Sequence, residues 1–211
     1  MTADAELPLR ADARRNRDQI IAAAKKIFLE FGPNEPMEEI ARRAGVGVGT
    51  LYRRFPDRDS LILAVARETF ESFAVGARAV AAEEPSAWEA LVRLLHKSQA
   101  LKLMVQLAIL SPLAWAIIRE DERTQQCRDE ILQVLDDLVR RAQAEGSMRA
   151  DVGAGDVAVL CSLLLRRMEF GPQTNDLVLE RALVLILDGL RASSRTPLPG
   201  RPITGHDLRH R

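Results

Sequence analysis

The chain is short of aromatic side chains. Of 211 residues, 4% are Phe, Trp or Tyr, and only one is a Tyr. Any core must therefore be built largely from Ala, Leu and other aliphatic residues, the composition of packed helices. Cysteine is also scarce. Cys127 and Cys161 stand far apart in sequence, which excludes a disulfide framework or a Cys-rich metal cluster and fits two reduced thiols in a cytoplasmic protein. No run of about 18 uncharged apolar residues occurs, so no membrane span or membrane partner is expected. The opening MTADAELPLR lacks the apolar centre of a secretory signal. Net charge is zero, whereas a uniformly basic nucleic-acid binder would read higher. No convincing strand or internal repeat is present.

A sizeable core is nonetheless available, at 47% hydrophobic content. The balanced charge is also unevenly placed. Between Arg10 and Arg58 there are eleven basic and seven acidic residues, so this segment carries +4 and the remainder −4. A small basic head on a neutral-to-acidic body suits an anionic partner for the head alone.

The chain is organised around Met37–Phe55, MEEIARRAGVGVGTLYRRF. Ile40 and Ala41 give a first helix its apolar seam. Gly45 falls at the left-handed position that ends a helix, with Val46 as a plug behind it. Gly47-Val48-Gly49 reads as a supple turn, and Thr50 to Phe55 as a second helix. In that helix Leu51 and Phe55 face inward, leaving Thr50, Tyr52, Arg53 and Arg54 outside. Two helices joined by a short Gly-containing turn, the second bearing base- and phosphate-reading side chains, form a helix-turn-helix.

Residues 20–61, about a fifth of the chain, resemble the DNA-binding domain of the TetR (tetracycline repressor) family. The resemblance rests on Ile40-Ala41, Ala44-Gly45-Val46, Gly49-Thr50-Leu51-Tyr52, Phe55, Arg58-Asp59 and Leu61. Two positions depart from the family pattern. Gly47 stands where Ser or Thr usually caps the recognition helix, and Pro36 where Thr usually opens the first motif helix. Gly is a weaker but workable cap, and Pro suits a first helical position.

Residues 1–11 read as a disordered arm. Arg14, Arg15 and Arg17 open the first helix, where positive charge opposes the helix dipole. An anionic partner therefore explains them, as phosphate contacts or a minor-groove arm. Ile20, Ala23, Ala24, Ile27, Phe28 and Phe31 repeat at helical spacing, and Gly32-Pro33-Asn34 ends that helix. Asp57 caps a long helix, about 58–83, running from the head into a second domain. Ser86 and Glu89 form a capping box for the next. The apolar stretch 87–118 is broken at Ser111-Pro112, and 121–144 is a long amphipathic helix. A loop over 146–155 precedes helices over 156–170 and 176–192. Residues 193–211, rich in Pro, Arg and Gly, read as a disordered tail.

The expected architecture is all-α: a helix-turn-helix domain over 12–60 and a helical effector-binding and dimerisation domain over 61–192. The last two helices are apolar over more than one face, so they need burial from several sides. That predicts a homodimeric four-helix bundle through Leu160, Leu163, Leu164, Leu183 and Leu187, in agreement with the resemblance.

Gly45-x-Gly47-x-Gly49 is not a dinucleotide fingerprint, since its spacing is wrong and no strand precedes it. His206, Asp207 and His210 lie in the tail without a scaffold for a metal. His96 has no ligand-spaced partner, and no nucleophile–base pairing is evident, so neither a cofactor nor an enzyme is expected. The resemblance implies a regulator that binds double-stranded DNA and is released by a small-molecule effector. Its DNA-binding set is Arg14, Arg15, Arg17, Gly47, Val48, Thr50, Tyr52, Arg53, Arg54 and Arg58. Polar or large residues within apolar helices (His96, Gln99, Met104, Gln106, Trp115) are candidates for the effector pocket. The rival reading is a helical small-molecule-binding protein without specific DNA binding. The basic surface of Arg53, Arg54 and Arg58 argues against it.

Overall fold

A computed structural model describes residues 6–96, 99–109, 111–165, 172–193 and 196–209. Residues 1–5 of the expected arm, the end of the helix expected over 156–170, and His210 lie outside the described residues. The described part is helical, and its one bridge between extended residues joins Met148 and Arg191.

The head comprises α1 (Glu6–Phe31), α2 (Met37–Ala44) and α3 (Val48–Arg54). Helix α1 already runs from Glu6, so part of the expected arm is helical. Gly45 adopts φ 68°, ψ 28° and closes α2 by donating to the Arg42 carbonyl, the left-handed stop that its lack of a Cβ permits cheaply. The recognition helix starts earlier than expected. Gly47 is its N-cap, and its carbonyl accepts from the amides of Thr50 and Leu51 at 2.9 and 3.1 Å. Val48 and Gly49 thus belong to the helix rather than to a turn. Phe31, expected in the core, is 52% exposed, with the Arg43 guanidinium 5.2 Å from its ring centre.

Helix α4 (Arg58–Glu83) follows. The Asp57 carboxylate accepts from the Ser60 amide at 2.7 Å, and the Ser60 hydroxyl donates back to the Asp57 carbonyl. The body adds α5 (Ala87–Leu95), α6 (Gln99–Ala108), α7 (Pro112–Ile118), α8 (Glu122–Ala144), α9 (Ala154–Leu164) and α10 (Pro172–Leu190). Ser86, Ser111 and Asp121 cap α5, α7 and α8 through their side-chain oxygens. Helices α6 and α7 lie 90° apart. No single described helix is long and apolar enough to cross a membrane.

One buried cluster joins head to body. Ile20, Ile27 and Phe28 of α1, Ile40 of α2 and Leu51 of α3 pack with Leu61, Ile62 and Val65 of α4. Leu103 and Leu107 of α6 and Ile118 of α7 belong to the same cluster. A second cluster lies farther along the body between α5, α8, α9 and α10.

The tail expected to be disordered is folded back instead. Residues 196–204 run against the start of α9 and end in the short helix α11 (Gly205–Arg209). Its order comes from backbone hydrogen bonds to carboxylates, which composition does not disclose. Leu198 N–H donates to Asp151 and Ile203 N–H to Asp156, at 2.9 and 3.0 Å.

Candidate nucleic-acid interface and effector cavity

Helix α3 shows its polar face to solvent because Leu51 and Phe55 are buried against the head core, at 0% and 4% exposure. Tyr52, Arg53 and Arg54 are exposed, as are Gly47 and Val48, while Thr50 is half-buried. Arg53 donates to the Thr50 hydroxyl at 3.1 Å, so the two form one polar unit on the outer face. Tyr52 donates to the Glu38 carboxylate at 3.2 Å. Partial desolvation and that carboxylate raise the phenol above its usual range, so Tyr52 remains a donor at neutral pH. Arg14, Arg15 and Arg17 are exposed along α1. The acidic neighbours of Arg15 and Arg17 are loosely placed, Asp12 at 3.7 Å and Asp18 at 3.8 Å.

Other head cations are engaged internally. Arg42 and Arg43 both bind Glu39, and Arg43 also binds Glu30. Their hydrogen bonds pull the Glu39 carboxyl down to about 2. Arg58 departs from expectation. It is half-buried and donates to the carbonyls of Pro33 and Glu35 in the loop before α2. Its position at the start of α4 brings it under that loop, so it ties head elements together.

The body encloses a cavity of about 350 Å³ between α4, α6, α8 and α9. Phe70, Phe73 and Ala77 of α4 form one wall, and Ile131, Leu132 and Leu135 of α8 another. Met104 and Trp115 lie on it as the sequence suggested. His96 and Gln99 do not. They flank a neighbouring hollow with Leu164, Leu179 and Leu183, which meets the first cavity at Leu95, Leu101 and Cys161. Gln106 sits on another face of α6, with its side-chain amide beside Gly32 at the end of α1.

The principal polar group of the cavity stands outside the residues expected there. Arg128 lines it, with its guanidinium 5.4 Å from the Trp115 ring centre. An Arg at 128 followed by apolar residues at 131 and 135 places a cation on the inner stripe of α8, a signal that was available. Cys161 also lines the cavity, and burial pushes its thiol up to about 12.

The five leucines expected at a dimer surface are not equally exposed. Leu183 is 5% exposed and packs inside the protomer, while Leu160, Leu164 and Leu187 are half-buried against it. Only Leu163 of the five is exposed, at 54%, and it is joined by Val159 on α9 and by Leu177, Val184 and Leu185 on α10. Both helices are apolar over more than one face, so sequence alone does not fix which stripe points inward.

A helix-turn-helix head packed on a cavity-bearing helical body defines a class, the helix-turn-helix transcriptional regulators. Residues 20–65 match the family described as bacterial regulatory proteins, tetR family, and residues 84–192 match the SbtR-like transcriptional regulator C-terminal domain. The chain belongs to the TetR family of DNA-binding transcriptional regulators, which are not enzymes. A crystal structure of a TetR regulator from Mycobacterium vanbaalenii is 36% identical with TM-score 0.57, covering 87% of this chain and 99% of that one. A TetR regulator from Streptomyces coelicolor is 32% identical with TM-score 0.60, covering 84% and 99%. An HTH-type transcriptional regulator of Staphylococcus aureus (strain USA300) is 41% identical over 66 residues. The match spans 31% of this chain and only 36% of that relative.

Proposed function

We propose that this chain is a repressor that binds a near-palindromic operator as a homodimer and leaves it when a small, largely apolar effector fills the cavity. One observation carries the effector-release half of this reading. Helix α4 is capped at Asp57 inside the head, shares the head core through Leu61, Ile62 and Val65, and then forms a cavity wall with Phe70, Phe73 and Ala77. An effector that changes the position of that wall changes the position of the head. In a dimer this alters the separation of two recognition helices that must enter successive major grooves. Its power to release DNA is limited by its differential affinity for the two head positions.

On the DNA, Arg53 with Thr50 meets base edges. Tyr52, Arg54, Arg14, Arg15 and Arg17 hold phosphates, which fix register but carry no sequence information. Selection from random duplex DNA at two salt concentrations tests the reading. The expected result is a palindrome whose binding falls steeply with salt. Recovery of no motif would overturn it.

Two substitutions then sort the contacts. Arg53→Ala is expected to relax specificity at one base position per half-site and cost about 1–3 kcal/mol. Tyr52→Ala is expected to weaken all sequences alike. Binding titrations on single-base operator variants distinguish the two patterns.

A further inference from the structure

The chain beyond the matched domains takes part in the cavity. Leu208 of α11 is one of its lining residues, and the family match ends at 192. The guanidinium of Arg128 donates to the Leu208 carbonyl while facing the Trp115 ring. The path of the strap is cleared by two glycines at the start of α9. A Cβ built on Gly155 would lie 2.6 Å from the Thr204 carbonyl oxygen and 2.5 Å from the Ile203 side chain. One on Gly153 would lie 2.2 Å from the Ile203 carbonyl oxygen. Gly155 N–H donates to that same carbonyl at 2.8 Å. The strap is pinned again where Arg149 donates to the Thr196 carbonyl at 2.6 Å and Leu198 N–H to Asp151 at 2.9 Å. Helix α11 rests on α8 and α9, where the buried Gly205 N–H reaches Asp136 at 3.4 Å, and Arg201 and Asp207 pair within the strap.

We infer that residues 196–209 are a hinged wall of the cavity, tied firmly at residues 196–203 and latched at α11 by Arg128, and that the effector enters and leaves past Leu208. This rests on reading the cavity as the effector site. An apolar molecule in the cavity competes with Leu208 for space, and any acceptor group it carries competes with the Leu208 carbonyl for Arg128. Strap docking and effector occupancy are therefore linked through one side chain. Opening of α11 widens access to the cavity, and the place of Leu208 bounds the length of molecule admitted on that side.

Cys161 provides a readout that needs no effector. It lies on the cavity wall and is buried, whereas Cys127 lies outside that lining. The full-length protein is treated with N-ethylmaleimide at one fixed pH, and alkylation of each cysteine is followed by peptide mass spectrometry. Two variants release the strap by different routes. Gly155→Ala meets the strap backbone while improving helix propensity in α9, and Arg128→Gln removes the latch. Hydrogen exchange at Leu198 and Ile203 reports release of the strap, and exchange across 205–209 reports release of α11.

In Gly155→Ala both stretches are expected to exchange faster, and in Arg128→Gln only 205–209. In both, Cys161 is expected to react at least tenfold faster than in wild type, with Cys127 unchanged. Release of the strap without faster Cys161 alkylation overturns the inference, and so does unchanged exchange in both variants. Either failure leaves the operator and effector reading intact. Failure of operator selection, conversely, leaves the gating result standing.

Discussion

Asp121→Ala is expected to lower the stability of the protein by about 2–3 kcal/mol, a fall in Tm of roughly 5–10 °C for a chain of this size. Asp121 is 9% exposed and serves two partners at once. One oxygen caps α8, accepting from the Thr124 amide at 3.0 Å and the Thr124 hydroxyl at 2.6 Å. The carboxylate also receives the Arg67 guanidinium from α4, with Nε at 3.1 and 3.2 Å from its two oxygens. The substitution removes a helix cap and strands the donors of Thr124, which is fully buried. Those two losses set the magnitude. The Arg67 side chain is 45% exposed and rehydrates when its partner goes, so it loses little itself. Arg67→Ala leaves the buried Asp121 carboxylate on the Thr124 donors alone and should cost about 1–2 kcal/mol, less than Asp121→Ala. Asp121→Asn, which keeps an acceptor for Thr124, should fall between the two. Thermal denaturation at neutral pH ranks the three, and an equal loss for Arg67→Ala and Asp121→Ala would assign the effect to the ion pair instead of the cap.

The same carboxylate gives the protein a definite acid response. The Arg67 hydrogen bonds, against the opposing effect of burial and with help from Thr124, pull Asp121 down from 3.8 to about 2. A carboxyl more acidic in the folded state than in the unfolded state stabilises the fold while ionised in both, which holds above 3.8. Its contribution declines as pH falls from about 4 to about 2 and is absent below that. The part of the Asp121→Ala deficit that depends on charge should shrink over the same interval. A deficit constant down to pH 2 would show that the Asp121 charge contributes nothing.

The position of Asp121 shows what a sequence discloses and what it does not. Its capping role was readable, because Asp before a helical pattern is a local signal. So were the ends of α4, the break at Ser111-Pro112 and the left-handed Gly45, each decided by residues within a few positions. The partner of Asp121 was not readable, because Arg67 lies 54 residues away. The same separation of scales explains the other misses. Arg58 belongs to the motif by spacing, yet its donors go to the carbonyls of Pro33 and Glu35, which only the folded head brings within reach. The tail is polar and Pro-rich by composition, yet Asp151, Asp156 and two glycines at the start of α9 hold it in place. Helices α9 and α10 present apolar residues over more than one face. Periodicity therefore announced their burial without saying which stripe faces the protomer.

That last ambiguity carries the second large effect. The double variant Leu163→Glu, Leu185→Glu is expected to be a folded monomer at micromolar concentration, with dimer affinity reduced at least about 10⁴-fold. The two leucines are 54% and 70% exposed, beside Val159, Leu177 and Val184 at 37–57%. An apolar stripe on neighbouring helices is poorly served by water. In a two-fold dimer every residue of the contact is used twice. Burying each leucine is worth about 1.5–3 kcal/mol, so four lost leucine side chains alone exceed the roughly 5.5 kcal/mol that a 10⁴-fold change represents. Four unpaired carboxylates at the contact add to the loss. Neither residue is needed by the protomer, so helical content and Tm at low concentration should stay near wild type. Leu183→Ala makes the opposite prediction. At 5% exposure it should destabilise the protomer by about 2–5 kcal/mol as a buried leucine deletion and leave the association of the folded fraction nearly unchanged. Light scattering combined with thermal denaturation separates the cases. A double variant that remains dimeric would move the proposed interface to another face of the body.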